Sequence, residues 1–190
     1  MKTITSIIVI LLGTACQAQT TTLTQRFNLS QDNRPLHVTG LTFPNGLELW
    51  GIGITQKETT DLEVGYTFYS KGRWTFAGYL AWWPNAKQAF VMPWVTYSSP
   101  LASGQLTLNW AEYVPVRHGP RIKFSDNSRW VWKLNDQVAG GLAIQYGSDK
   151  VRFGLHLDLT KGDTMLRIRA LPAGKNMPSS LRLEINRRFK

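Results

Sequence analysis

The stretch Val151–Ala170, VRFGLHLDLTKGDTMLRIRA, holds two passages of strict alternation joined by a short turn. Val151, Phe153, Leu155, Leu157 and Leu159 take every second position, with Arg152, Gly154, His156, Asp158 and Thr160 between them. After Lys161-Gly162 the pattern resumes, Leu166 and Ile168 against Arg167 and Arg169. A period of two belongs to an extended strand, whose successive side chains point to opposite faces. Each strand therefore has one oily face and one charged face, and the fold turns on which is inside. In water the oily face is buried. In a closed sheet crossing a bilayer it meets lipid, and the charged row lines the interior.

The same rhythm runs through the whole chain. Candidate strands cover 22–30, 36–43, 47–56, 61–70, 73–83, 88–98, 104–116, 129–135, 137–147, 150–160, 163–170 and 180–189. Pro-Asn-Gly at 44–46, Lys71-Gly72, Asn135-Asp136 and Lys161-Gly162 are compact hairpin connections. The pattern predicts an all-β, antiparallel up-and-down transmembrane β-barrel of about twelve strands, with ten or eight as alternatives. No helical period persists after residue 19, and no later apolar run approaches the ~20 residues of a membrane-spanning helix.

Composition narrows the class. Of the 190 residues, 18% are charged, against roughly a quarter in soluble domains. Aromatic content is 12%, with eight Trp. The first residues, MKTITSIIVILLGTACQAQT, read as an export signal: Lys2, an apolar core at Ile7–Leu12, then small residues. Cleavage after Ala18 divides the chain into a signal peptide at 1–18 and one barrel domain at 19–190, and lowers the formal charge from +10 to +9 by removing Lys2. LGTAC also resembles a lipoprotein signal ending at Cys16, the single cysteine, so no disulfide forms within the chain.

Three features favour lipid outside. The row opposite the bulky one is often small: in 137–147, Ala139, Gly141, Ala143, Gln145 and Gly147, and in 73–83, Arg73, Thr75, Ala77, Tyr79 and Ala81. Small and polar side chains suit the crowded inside of a narrow barrel. Next, Trp74, Trp82, Trp83, Tyr97, Tyr113 and Trp130 fall near strand ends, where a bilayer carries its aromatic girdles. Finally, the short turns at 44–46, 71–72, 99–103, 135–136 and 161–162 fall on one side. The longer connections, 117–128 and 171–179 among them, fall on the other, as outer-membrane barrels require.

The tail SSLRLEINRRFK alternates Leu181, Leu183 and Ile185 and reaches Phe189, with Arg187 and Lys190 departing from the pattern. With the export signal it resembles the terminal strand of bacterial outer-membrane β-barrel proteins. That resemblance implies an outer-membrane address, and makes Leu183, Ile185 and Phe189 the tail that the barrel-assembly machinery reads.

With the apolar row outward, Arg26, Arg73, Lys133, Arg152, His156, Arg167, Arg169, Arg182 and Arg188 point inward, together with Glu63, Asp158 and Glu184. Arg152, His156, Asp158, Arg167, Arg169, Arg182 and Glu184 are expected to form a lumen charge network, since unpaired charge in a narrow barrel is costly. Such a lumen is either a plugged structural element or a narrow, anion-preferring pore. The expected partners are membrane lipid including anionic lipopolysaccharide, the assembly machinery and small anionic solutes. Nucleic acid is not expected, because the basic residues are spread along alternate strand positions.

A lipid-modifying enzyme of the lipid A acyl hydrolase or acyltransferase type is the alternative from another class. It needs a serine beside a histidine, and His118 shares a loop with Ser125, Asp126, Asn127 and Ser128. The His-x-Ser spacing that resembles the lipid A deacylases is absent at His37 and His156, so no catalytic residue is assigned. His156 with Asp158 offers two metal ligands at most, and neither metal nor cofactor is expected. A secreted soluble β-sandwich that binds a ligand through its aromatic residues is the third reading.

Overall fold

Residues Lys150–Lys161 (β11) and Thr164–Leu171 (β12) pair antiparallel, with Leu157 opposite Ile168 and Asp158 opposite Arg167. Gly162 turns the chain between them at φ 57°, and Gly72 does the same at φ 63° in the Lys71-Gly72 hairpin. That left-handed region costs glycine nothing because it has no Cβ.

The computed structural model describes residues 20–30, 36–54, 60–101, 104–125, 127–147, 150–174 and 178–189. The export signal, Cys16 and Asp126 lie outside the described residues. The other strands are β1 (Thr21–Ser30), β2 (Leu36–Thr42), β3 (Leu47–Ile54), β4 (Thr60–Lys71), β5 (Trp74–Trp83), β6 (Gln88–Leu101), β7 (Gly104–Pro115), β8 (Ile122–Ser125), β9 (Arg129–Lys133), β10 (Val138–Gly147) and β13 (Ser180–Phe189). The described residues contain no helix.

Each strand pairs antiparallel with its neighbours, and β13 pairs with β1 from Thr21 opposite Phe189 to Ser30 opposite Ser180. The sheet is therefore closed and leaves no edge. β8 and β9 both lie between β7 and β10, end to end, so thirteen strands make twelve staves. This is one closed sheet, which overturns the sandwich reading and the ten- and eight-strand alternatives.

Two boundaries differ from the sequence reading. The outer connection expected at 117–128 is shorter, because Ile122–Ser125 joins the wall by pairing with Ala111–Tyr113. Four residues are too few for a periodic signal, and the Ser125–Ser128 stretch after them reads as a turn. At the other end, the turn expected at 99–103 narrows because β6 runs on to Leu101, opposite Gly104.

The apolar row is outside. Leu62, Val64, Phe68, Leu80, Val91, Phe153 and Ile185 are exposed, and Leu155 is 70% exposed. A continuous apolar exterior around a closed sheet is the surface that hydrocarbon, not water, covers. Inside, Ala77, Ala81, Ala111 and Ala143 are buried, Ala77 and Ala111 clustered with Tyr79 and Met92.

The girdle residues divide by parity. Trp74 packs on Tyr97 at 4.8 Å, and Trp130 on Trp132 at 4.5 Å, at the end bearing the short turns; Trp82 is exposed at the opposite end. Trp83 and Tyr113 do not join them. Trp83 shares the inward row of Tyr79 and Ala81, Tyr113 that of Ala111, and the two rings meet at 5.4 Å inside the barrel. Nearness to a strand end does not set the face, whereas position parity does.

Candidate functional site: the lumen

The inward charges are sorted between two walls. On the first, a single row crosses four neighbouring strands: Arg26 of β1 faces Glu184 of β13, which faces Arg167 of β12, which faces Asp158 of β11. Charge alternates along it. Arg26 Nε donates to Glu184 Oε2 at 2.8 Å, Arg167 Nη1 to Glu184 Oε1 at 3.0 Å and Arg167 Nε to Asp158 Oδ1 at 2.8 Å. Charge-assisted hydrogen bonds of this length are the strong kind, and the guanidinium fork lets one arginine serve two carboxylates.

One step along the strands lies a second, more basic row of Arg182, Arg169 and His156. Arg169 is 2% exposed, and its Nε donates to His156 Nδ1 at 3.2 Å. A guanidinium N–H only donates, so Nδ1 accepts and the ring proton resides on Nε2, 3.0 Å from Asp158 Oδ1. The histidine thus ties the two rows together.

Arg152 stands apart from both. Its Nε donates to Gln145 Oε1 at 2.7 Å, Nη1 to the Pro178 carbonyl at 2.6 Å and Nη2 to Ser180 Oγ at 3.2 Å, which ties the start of β13 to β11 at the rim. Arg73 and Lys133 lie at the short-turn rim, the former bonded to Tyr97 OH and the latter to Asp136.

The second wall is acidic and aromatic, and sequence reasoning found only Glu63 of it. Glu48 of β3 accepts from Trp50 Nε1 at 3.0 Å and Tyr79 OH at 2.9 Å on Oε2, and from Thr67 Oγ1 at 3.2 Å on Oε1. Tyr113 OH lies 2.9 Å from Asp61 Oδ2 and 2.5 Å from Glu63 Oε1. Two glycines make room for this wall. The Trp50 ring lies over Gly40 and the Tyr79 ring over Gly65, where any Cβ would collide with it. The signal was present in LELWGIGI, where Glu48 shares a row with Trp50 and Ile52, but an inward row that is mostly bulky does not read as a lumen wall.

Between β8 and β9 the missing ladder is replaced by side chains. Asn109 Oδ1 accepts from Ser125 Oγ at 3.0 Å and from the Asn127 amide at 2.6 Å, while the Asn109 amide donates to Ser128 Oγ at 2.8 Å. Both serines are buried and engaged with Asn109. His118 is exposed at the rim, where its carbonyl accepts from Gln88 Nε2. Among the described residues no hydrogen bond joins it to either serine. His37 lies outside, stacked on Phe27 at 4.7 Å.

Among the described residues, one cavity of about 270 Å³ sits against the acidic and aromatic wall, with Arg26, two strands along from β3, also in its lining. Another, of about 320 Å³, lies towards the short-turn end and is lined by Arg167, Asn186 and Arg188.

The sequence matches no protein-family model and no curated protein. The structure is similar to that of the KdgM porin in complex with disordered oligogalacturonate, with a TM-score of 0.64 over 89% of this chain and 99% of that one. A structure of the KdgM porin alone gives 0.61 over the same shares. This is the fold of a small bacterial outer-membrane β-barrel. At 10% and 8% identity the likeness is one of fold, and the roles of this barrel's residues rest on its own geometry. The apolar exterior and closed sheet place it in the outer membrane.

At its closing seam, Leu183 and Ile185 lie on the outward face of β13, Ile185 opposite Gln25 of β1. Phe189 is exposed opposite Thr21, with the Arg187 guanidinium 5.2 Å from its ring centre.

Proposed function

We propose that this barrel is a narrow, anion-preferring pore and not an enzyme. The observation that carries the reading is the basic wall, where Arg26, Arg152, Arg167, Arg169 and Arg182 face inward on β1 and β11–β13 and Asp158 and Glu184 are the acids between them. A low-dielectric wall bearing surplus positive charge concentrates anions and repels cations. The fold shared with a porin whose structure holds oligogalacturonate supports passage of an acidic solute.

The seam residues Leu183, Ile185 and Phe189 serve as the assembly tail in this reading. The exposed Arg117, Arg121 and Lys123 at the long-loop rim suit the phosphates of lipopolysaccharide. In a planar bilayer under a salt gradient, the reversal potential is expected to indicate anion preference, and replacing Arg167 and Arg169 with Gln is expected to weaken it. Cation preference overturns the reading.

Burial of Arg169 and His156 at one level of the lumen favours a second reading, a barrel closed at that level that serves as a structural surface protein. Stable insertion without current supports it.

A further inference from the structure

The 270 Å³ cavity does not have the character of the basic wall. Its lining holds two carboxylates, Glu48 and Glu63, beside the hydroxyls of Thr75 and Thr96, and Asn127, whose buried Oδ1 has no hydrogen-bond partner among the described residues. All three hydrogen-bond partners of Glu48 are neutral, so its carboxylate is held in place without being neutralised by them. The apolar lining is aromatic, with the Tyr79 ring 5.8 Å from that of Trp94 and Trp50 beside them. Arg26, which also bonds Glu184, stands at the cavity's basic edge.

A carboxylate set among ring faces is the chemistry that receives an organic ammonium. The carboxylate attracts the charge, and the electron-rich faces of Trp and Tyr accept the methylene or methyl groups that carry it. An anion alone meets the like charge of Glu48 on that side, whereas a neutral solute brings no charge to balance it.

We infer that this cavity is a subsite for the ammonium end of a small zwitterionic solute, held at Glu48 between Trp50, Tyr79 and Trp94, with the solute's carboxylate directed to Arg26. The inference rests on the pore reading for how the solute arrives, not for the binding itself. The cavity then orients a dipolar solute, negative end to Arg26 and positive end to Glu48.

The test uses the refolded full chain, with heat-modifiable migration confirming the closed barrel. Glycine betaine, choline and acetate are added singly while current noise is recorded in a planar bilayer, and their binding is measured by calorimetry in detergent. Betaine and choline are expected to bind, betaine the tighter. Glu48→Gln, which keeps the side-chain shape and removes the charge, is expected to weaken both about tenfold, the scale of one desolvated cation–π or ionic contact, and to leave acetate unchanged. Should that variant not fold, Trp94→Leu removes one ring face and leaves Glu48, and choline binding is expected to weaken.

Binding by calorimetry in a barrel that carries no current upholds the subsite and overturns the pore. A conducting barrel with no binding of betaine or choline overturns the subsite and leaves the pore. Equal betaine affinity before and after Glu48→Gln also overturns it, as does tighter binding of acetate than of betaine.

Discussion

Arg26 and Glu184 join the first strand of the barrel to the last, Nε to Oε2 at 2.8 Å across the seam where the sheet closes. Both are nearly buried, their side chains 11% and 3% exposed. Glu184 holds Arg167 as well, so one carboxylate anchors two arginines on the two strands that flank it. The seam is thus fastened by backbone pairing and by the start of the alternating charge row.

Glu184→Gln is expected to lower the stability of the folded barrel by about 3 kcal/mol, the scale for breaking a buried pair from one side. The urea midpoint of the heat-modifiable form measures it. Lys133→Gln, which removes the solvent-exposed pair with Asp136, is expected to change nothing measurable. Equal effects from the two variants would show that the lumen row is hydrated like the rim.

Leu155 stands midway along β11 and points away from the lumen. Leu155→Arg is expected to impair insertion by about 2–4 kcal/mol, as for a cation at the bilayer midplane. Refolding yield into lipid vesicles checks it. Normal yield would place this face outside the hydrocarbon.

Phe189→Ala is expected to reduce the amount of barrel in the outer membrane without slowing export across the inner one. Fractionation followed by quantitative blotting separates these steps. Unchanged outer-membrane levels would remove Phe189 from the assembly signal.

Gly65→Val is expected to displace the Tyr79 ring, because a branched side chain would occupy the space that the ring fills. Tyr79 then loses its bond to Glu48, and the expected cost is about 1–3 kcal/mol from overpacking. Thermal migration shifts on a gel report it. An unshifted variant would mean that the ring has room to turn aside.

Alternation in VRFGLHLDLTKGDTMLRIRA determined strands, a turn and two faces by itself, since a strand's side chains must alternate whatever surrounds them. Low charge, abundant aromatics and the sorting of short and long connections then settled that the oily face is outside. Those features act locally or by simple addition, so a linear reading captures them. Adjacent hairpin strands also made Asp158, Arg167 and Glu184 legible as one network, but the partners of the other lumen charges were not legible in this way. That Arg26 meets Glu184, 158 positions away, depends on the closure register of β1 against β13. That Glu48 gathers Trp50, Thr67 and Tyr79 depends on three strands brought side by side, with Gly40 and Gly65 leaving room for the rings. Likewise, Ile122–Ser125 becomes wall only because β7 and β10 leave a place between them. A row's face follows from parity along one strand, but its neighbours follow from the register of all twelve staves, and only the closed barrel fixes that.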